Sequence, residues 1–142
     1  MTSRVRRTSV TEAYKNKTAC VTIKGVILNP QTMRQSPLDF ECMVDTGFFG
    51  GIFVPEWYKS NAESIGVVPS LANITLADGN RVPAYVCAAY LQEVDGCDFA
   101  PPGKPVVLVM RGTNSPELLG MDALKHCTIF LDGPKQSFTL TI

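Results

Sequence analysis

The stretch Phe40–Pro55, "FECMVDTGFFGGIFVP", places an acidic residue, Asp45, at the end of an apolar run. Thr46 and Gly47 follow, and a second apolar run begins a few residues later at Ile52. An ionised carboxylate in apolar surroundings costs several kcal/mol unless it is paired or hydrogen-bonded. The position of Asp45 therefore indicates either a turn or a carboxylate kept for chemistry.

The composition predicts one globular domain. The chain has 142 residues, of which 45% are hydrophobic and 18% charged, and a chain of this length buries roughly two thirds of its unfolded surface. Thirteen basic residues balance thirteen acidic ones, so charge gives no case for a nucleic-acid partner. No apolar run approaches the ~18 residues of a membrane span, and the polar stretch after Arg7 does not fit a signal peptide. We expect a cytoplasmic protein with no membrane or nucleic-acid partner.

The cysteines argue against a disulfide framework and a zinc site. They are odd in number and show no C-x-x-C spacing, and the chain has a single histidine. We expect no metal and no cofactor, with most of the thiols packed as small core hydrophobes. The five residues are Cys20, Cys42, Cys87, Cys97 and Cys127.

The pattern of the chain is that of many short strands. Residues 1–16 are expected to form a flexible basic N-terminal arm and residues 17–142 the folded domain. Alternation of apolar residues in "LDFECMV" is typical of a strand, and Asp78-Gly79 predicts a hairpin turn inside "ITLADGNRVPAYVCAAYLQEV". These features favour a small barrel-like β domain.

Two short helices complete the predicted elements. The first lies in "PEWYKSNAESIG", where Trp57 is expected to anchor the helix on the barrel. The second lies in "ELLGMDALKHC" and is led in by Gly120. Asp122, just after Gly120, suits a helix N-terminus and is interpreted as structural.

A single D-T-G triplet is weak support for any function, because Asp-x-Gly also suits ordinary turns. Here the triplet follows one strand-like run and precedes another. Leu118-Leu119-Gly120 lies 120 − 45 = 75 positions downstream of Asp45 and is followed by a helix and two strands. Together these features separate the triplet from a chance turn.

The segments "MVDTGFFGGIFVP" and "PELLGMDALKHCTIFLD" resemble the two signature segments of retropepsin-like aspartic peptidases, including their single-domain prokaryotic relatives. The resemblance covers about residues 18–142. It implies an all-β acid-protease barrel that acts as a homodimer on peptide or protein substrates, hydrolysing peptide bonds. Its catalytic residue would be Asp45, supported by Thr46 and Gly47.

The chemistry of this reaction needs two carboxyl groups. One takes a proton from water while the other donates a proton to the substrate carbonyl. The chain has one D-T-G, and the partner of Asp45 can come from a second copy across a two-fold axis. The resemblance gives Thr46 a hydrogen bond across that axis; the alternative is a buried hydroxyl satisfied within its own chain. Gly47 would let backbone amides approach the carboxylate.

Further site residues follow from the resemblance. The hairpin from Ile74 to Tyr85 resembles the flap that folds over substrate, although a plain surface hairpin is equally compatible with the pattern. The terminal strand "SFTLTI" would join the dimer sheet, unless it belongs to the intrachain core. The residues proposed to bind substrate are Phe48, Phe49, Asp78, Gly79, Leu119 and Gly120.

Phe48 and Phe49 depart from the family pattern. Many members carry Ala or Ser after D-T-G, and a serine there can hydrogen-bond the outer carboxylate oxygen. The two aromatic rings can line substrate pockets or pack in the core. A catalytically weak or inactive dimerisation or peptide-binding module is therefore the alternative function, and a monomeric β domain with D-T-G as a mere turn is a third.

Overall fold

The computed structural model describes residues 9–76, 78–99 and 103–142. In these residues the chain forms eleven strands and two short helices. The strands are β1 (Ser9–Ala13), β2 (Cys20–Leu28), β3 (Gln35–Val44), β4 (Ile52–Val54), β5 (Ser70–Thr75), β6 (Arg81–Val94), β7 (Cys97–Asp98), β8 (Pro105–Met110), β9 (Leu118–Leu119), β10 (Thr128–Asp132) and β11 (Ser137–Thr141). The helices are α1 (Tyr58–Ser64) and α2 (Met121–Leu124).

Six strands close into a barrel. The pairings run β2-β3-β9-β4-β8-β6, and β6 pairs with β2 to complete the ring. The long strand β6 makes closure possible, since its first half pairs with β5 and β8 and its second half with β2. A register shift at Lys24/Gly25 bends β2 where it meets β6. A side chain at Gly25 would lie 2.6 Å from the Tyr90 carbonyl oxygen, so only glycine permits this approach. The predicted β barrel is confirmed.

The barrel wall separates two apolar clusters. Alternate residues of its strands point to opposite sides: Ile52 and Val54 of β4 pack in the main core, whereas Phe53 between them packs in a smaller cluster. The smaller cluster, called the outer cluster below, consists of Phe53, Ala84 and Val109 with Phe48, Ile74, Val86 and Leu118 packed against them. The outer cluster connects the hairpin β5–β6 to the loop that begins at Asp45.

Helix α1 confirms the first predicted helix, but a different aromatic residue attaches it. Trp57 is 55% exposed and stacks on the Tyr58 ring with centroids 3.9 Å apart. Tyr58 is buried and meets Phe40 of β3 edge-on at 5.7 Å. The anchoring role predicted for Trp57 is therefore wrong, and Tyr58 has it.

A separate three-stranded sheet has the order β1-β11-β10. Ser9–Ala13 form a strand rather than part of the predicted flexible arm, because Val10 enters the main core and every residue of β1 is opposite one of β11. Residues 1–8 of that arm lie outside the described residues.

The C-terminal strand β11 is the central strand of this sheet. It pairs along its length with β1 on one side and β10 on the other, and Phe138 and Leu140 are fully buried. A strand with both edges paired in its own chain has no edge left for a second copy. The structure thus supports the intrachain alternative for "SFTLTI".

No helix in the described ranges is long and apolar enough to cross a membrane.

Candidate active site

The loop that carries Asp45 is held by a strand inserted between its two ends. Strand β9 pairs in parallel with the end of β3 and antiparallel with β4. Because β3 and β4 flank β9, the seven residues 45–51 must arch over it. Two bonds fix the arch at its far end: the Gly51 amide donates to the Val107 carbonyl at 2.9 Å, and the Gly120 amide donates to Gly51 at 2.8 Å.

The Asp45 carboxyl is oriented by its own loop. The Gly47 amide donates to Asp45 Oδ1 at 2.9 Å, and the Asp45 amide donates to the Leu119 carbonyl at 2.9 Å. A side chain at Gly47 would lie 3.3 Å from Oδ1, which is tighter than most van der Waals contacts. This is the close approach that the sequence predicted for Gly47. In the described part of the chain, no other group donates a hydrogen bond to the carboxylate.

Thr46 and Phe49 lie on the outside of the loop. The Thr46 side chain is exposed, and its hydroxyl makes no hydrogen bond with any residue that the structure describes. This placement does not match the alternative of a buried hydroxyl satisfied within the chain. Phe49 is 78% exposed. Both side chains are accessible to a substrate or to a second protein.

Phe48 turns inward and packs in the outer cluster. Its ring meets the Phe53 ring edge-on at 5.6 Å. It also lies over two glycines: a side chain at Gly50 or at Gly120 would come within 2.4 Å of ring atoms of Phe48. The Phe48 side chain therefore packs on the inner side of the loop of residues 45–51. The Phe48 carbonyl accepts a 2.7 Å hydrogen bond from the Met121 amide.

The L-L-G segment contributes to the site through its backbone. Leu119, predicted to bind substrate, is 1% exposed in the main core, so its side chain cannot contact a substrate. The neighbouring Leu118 faces the outer cluster instead. Gly120 also has a structural role, since a side chain there would lie 2.4 Å from the Gly50 carbonyl oxygen. The substrate contact predicted for the Leu119 side chain is corrected, because β9 lies between the strands it joins and Leu119 is buried there. Substrate binding by Gly120 stays a prediction.

Asp122 ties helix α2 to the barrel. Its Oδ2 accepts the Val107 amide at 2.8 Å, and Oδ1 lies 3.0 Å from Lys125 Nζ. Burial alone would raise the pKa of Asp122, but the hydrogen bond from Val107, with help from Lys125, brings that pKa below its usual 3.8. The structural interpretation of Asp122 is confirmed.

The predicted hairpin is present, with a tight turn at its tip. Strand β5 pairs with β6 from Ser70 opposite Val86 to Thr75 opposite Arg81. In the turn both Asp78 oxygens accept bonds from Asn80, each at 2.9 Å, and Gly79 has a φ of +87°. Ile74, near the base of the turn, belongs to the same cluster as Phe48. Substrate binding by Asp78 and Gly79 stays a prediction.

The thiols and the histidine do not form a competing site. The five cysteines form no disulfide with one another in the part of the chain that the structure describes. Burial raises the pKa of Cys87 to about 11 and, together with nearby Cys97, that of Cys127 to about 11. These thiols are therefore protonated at neutral pH and poor nucleophiles. His126 lies edge-on against Phe99 at 5.7 Å.

Two features of the site were not predicted. One is the insertion of β9 between β3 and β4, for which the only sequence signal was the apolar pair before Gly120. The other is a groove of about 370 Å³ beside Thr46, lined by Tyr14, Lys17, Thr18, Ala19, Val44, Ile129 and Leu131. Its walls come from distant parts of the chain, so no local pattern could reveal it.

Comparison with solved structures identifies the fold. The chain is similar to a retropepsin-like aspartic protease from Rickettsia conorii, with a TM-score of 0.56 over 93% of this chain and 89% of that one. The two sequences are 18% identical, a level at which the likeness concerns the fold alone. No protein-family model matches the chain, and no curated protein matches it. The chain has the all-β retropepsin-like fold that its D-T-G and L-L-G segments predicted.

Proposed function

We propose that this protein is an aspartic endopeptidase whose active site forms when two copies bring their Asp45 residues together. The observation that carries the proposal is the orientation of the Asp45 carboxyl. One oxygen is held at 2.9 Å by the Gly47 amide, while the other receives no hydrogen bond from the described residues. A carboxylate fixed on one side and free on the other suits proton transfer to and from water.

The reaction follows from the shared charge of the pair. Two carboxyl groups about 3 Å apart hold one proton between them, because both cannot be ionised at that distance. The ionised carboxylate takes a proton from water while the water oxygen bonds to the substrate carbonyl carbon. The protonated one donates to the carbonyl oxygen. The proton taken from water then passes to the amide nitrogen as the carbon–nitrogen bond breaks. At the same time a hydroxyl of the tetrahedral intermediate returns a proton to the carboxylate that had donated one, so the pair again holds a single proton.

Thr46 supports the need for a second copy. Its hydroxyl is exposed on the Asp45 loop and has no partner in the part of the chain that the structure describes. A two-fold axis beside Asp45 would give each Thr46 a partner on the other copy. The substrate would bind as an extended strand between the loop and the hairpin β5–β6, its apolar side chains meeting residues of the outer cluster such as Ile74 and Leu118.

Peptide cleavage by matched variants tests the proposal. A mixed peptide pool is incubated with the wild type, with Asp45→Asn and with Asp39→Asn, across pH 3 to 8, with and without a statine-type inhibitor. Asp39 is an exposed carboxylate six residues before Asp45, in the strand β3 that leads to the Asp45 loop. We expect a bell-shaped pH dependence in the wild type and in Asp39→Asn, inhibition by statine, and no cleavage by Asp45→Asn. Full activity in Asp45→Asn rules the mechanism out.

One observation favours the alternative, a catalytically weak or inactive peptide-binding dimer. Phe48 follows the D-T-G triplet and its ring is packed inward, so residue 48 offers no hydroxyl to the free oxygen of Asp45. If the wild type binds the statine-type inhibitor but cleaves no peptide at any pH, this alternative replaces the proposed activity.

A further inference from the structure

A groove of about 430 Å³ lies between helix α1 and the loop that follows β8. Glu56, Trp57, Lys59 and Glu63 line one side of it, and Gly112 and Thr113 line the other. Its volume is in the range of sites that bind small ligands and side chains. None of these residues belongs to the Asp45 loop or to the outer cluster, so the groove is separate from the candidate active site.

Hydrogen bonds hold the two walls of the groove together. The Glu56 amide donates to the Gly112 carbonyl at 2.7 Å, and the Ser115 hydroxyl donates to the Arg111 carbonyl at 2.8 Å. Gly112 has a φ of +79°, and a side chain at this position would collide with the Ser115 hydroxyl. The loop after β8 is therefore closely packed beside α1, and the groove is formed before any ligand arrives.

Trp57 gives the groove a flat aromatic surface. Its ring stacks on Tyr58 with centroids 3.9 Å apart and 27° between the ring planes, and Tyr58 is buried. The ring is thus held from one side, while 55% of the residue is exposed. A cation above the face of a tryptophan ring is attracted by the negative charge of that face. The neighbouring Lys59 already makes such a contact, with its Nζ 4.2 Å from the centre of the Tyr85 ring.

The charges along the groove favour a cationic ligand. Glu56 is exposed, and its carboxylate makes no hydrogen bond or ion pair with any residue that the structure describes. Glu63 Oε1 lies 3.7 Å from Lys59 Nζ, and its Oε2 has no partner among the same residues. Two acidic residues and one basic residue line the groove, which leaves one net negative charge.

Resting on the proposed function, in which a peptide is cleaved at Asp45, we propose that this groove binds an arginine side chain of the substrate. A guanidinium group is planar, stacks on aromatic rings and donates paired hydrogen bonds to a carboxylate. Its plane lies on the Trp57 ring, and its N–H groups donate to Glu56. The ammonium of lysine is more strongly hydrated and has no flat face, so lysine binds here more weakly.

A second pocket leads from the groove toward the candidate active site. It measures about 270 Å³ and shares Glu56 with the groove; Leu71 and Ala84 also line it. Leu71 is 67% exposed, and Ala84 belongs to the outer cluster along which the substrate is proposed to lie. Strand β4 separates the groove from the end of the Asp45 loop, a distance of roughly 15 Å. An extended peptide spans this distance in about five residues, so the arginine lies about five residues from the cleaved bond.

Fluorescence tests the groove directly, because Trp57 is the one tryptophan of the chain. The wild type is titrated with acetyl-Gly-Arg-Gly-amide, which is too short to reach both sites, and with the same peptide carrying lysine or citrulline instead of arginine. Citrulline keeps the shape of arginine without its charge. We expect a saturable change in emission with arginine, and a dissociation constant about tenfold higher with citrulline and about fivefold higher with lysine. No saturable change, or equal constants for the three peptides, overturns the proposal.

A matched pair of variants tests the carboxylate. Glu56→Gln removes the charge and keeps the tryptophan reporter, and no contact within the described chain is lost. The dissociation constant of the arginine peptide should rise about tenfold. Glu12→Gln changes an exposed glutamate of β1 and should leave the constant within about twofold. An unchanged constant in Glu56→Gln overturns the assignment of this carboxylate.

The peptide products separate this proposal from the proposed function. Sequencing of the cleaved peptides should show arginine enriched about fivefold at about five residues from the cleaved bond, with the enrichment lost in Glu56→Gln. Arginine-dependent fluorescence without any cleavage retains the groove and overturns the enzymatic proposal. Cleavage through Asp45 without this enrichment retains the enzyme and overturns the role of the groove in substrate binding.

Discussion

Two turns of this protein are closed by the same kind of hydrogen bond, from a backbone amide to an aspartate side chain two residues earlier, but they differ in what the second carboxylate oxygen contacts. In the Asp45 loop, the carboxylate accepts the amide of the residue two positions on, Gly47, at 2.9 Å. At the hairpin tip, Asp78 accepts the amide of Asn80 at the same distance. Aspartate favours turns for this reason. The hydrogen bond to the backbone therefore does not distinguish an active-site carboxylate from an ordinary turn.

The two turns differ in the contacts of the second carboxylate oxygen and in the packing around the turn. At the hairpin tip the second Asp78 oxygen is used by the Asn80 side chain, and a side chain at Gly79 would meet open space. At the Asp45 loop no described group takes the second oxygen. There the backbone of Gly120 approaches Phe48 and Gly50 so closely that any side chain would collide. One turn satisfies its own carboxylate, whereas the other is braced from beneath and leaves an oxygen available.

The largest expected effect on stability comes from adding a side chain at Gly120, where the backbone packs against the Asp45 loop. A methyl group at Gly120 would lie 2.4 Å from the Gly50 carbonyl oxygen and 2.5 Å from that of Phe48, and backbone atoms cannot move aside cheaply. We expect Gly120→Ala to lower the free energy of unfolding by about 3 kcal/mol or more. Urea denaturation at fixed protein concentration measures the change.

Substitutions of two other glycines serve as controls for Gly120→Ala. Gly133→Ala introduces a methyl group into open space without a positive φ, and should change stability by less than about 0.5 kcal/mol. Gly79→Ala at the hairpin tip also meets open space but has a φ of +87°, and should cost about 1 kcal/mol. Equal losses at Gly120 and Gly79 would mean that the Asp45 loop is no more constrained than the hairpin tip.

The next effect separates the two aromatic residues after D-T-G. Phe48 packs against Phe53 and over Gly50, whereas Phe49 is 78% exposed. We expect Phe48→Ala to cost about 2 kcal/mol, less than for a fully buried ring because Phe48 is only half-buried. Phe49→Ala should stay within about 0.5 kcal/mol. Thermal unfolding of both variants, side by side, measures the difference; similar losses would contradict the inward packing of Phe48.

The third prediction concerns Thr46 and the affinity of the proposed dimer. Its hydroxyl is exposed on the Asp45 loop, and the proposed partner is on the second copy. Removing one neutral hydrogen bond from each copy should weaken the dimer about tenfold in Thr46→Ala. Sedimentation equilibrium gives the dissociation constant, and Thr46→Ser, which keeps the hydroxyl, should restore it. A constant unchanged by Thr46→Ala would refute the contact across the axis.

The sequence predicted what depends on local pattern and missed what depends on distant pairing. The alternation in "LDFECMV" gave β3, and Asp78-Gly79 gave the hairpin turn, because period-two burial and turn chemistry are encoded in neighbouring residues. The position of Asp45 at a strand end followed from the same pattern. Its bond to Gly47 was expected as well, since glycine permits the close approach.

The predictions that the structure does not support share one cause. The family resemblance placed Leu119 among the substrate-binding residues, but its pairing with both β3 and β4 buries its side chain. The resemblance suggested a dimer strand for "SFTLTI", with the intrachain core as the alternative, and both edges of this strand are paired within the chain, with β1 and with β10. Trp57 was assigned the anchoring role that belongs to its neighbour Tyr58. In each case the deciding contact is with a residue far away in sequence, so local periodicity carried no information about it.

Asp122 gives the smallest effect and one with a defined pH dependence. The hydrogen bond from Val107 and the Lys125 ammonium lower the pKa of Asp122 in the folded state. A carboxylate with a lowered folded pKa stabilises the protein above its unfolded pKa and loses that contribution as pH falls through the folded value. Asp122→Asn keeps an acceptor for the Val107 amide and removes only the charge. It should therefore cost about 1 kcal/mol at pH 7.

That cost should shrink as the pH falls below about 4, because the wild-type carboxyl then becomes neutral as well. Urea denaturation of the wild type and Asp122→Asn at pH 7, 4 and 3 measures the difference, with Asp39→Asn as the exposed carboxylate control. A difference that stays constant over this range would mean that the charge of Asp122 does not hold α2 against β8. The arch of the Asp45 loop, which α2 supports through the Met121 amide, would then depend on the Gly120 contacts rather than on electrostatics.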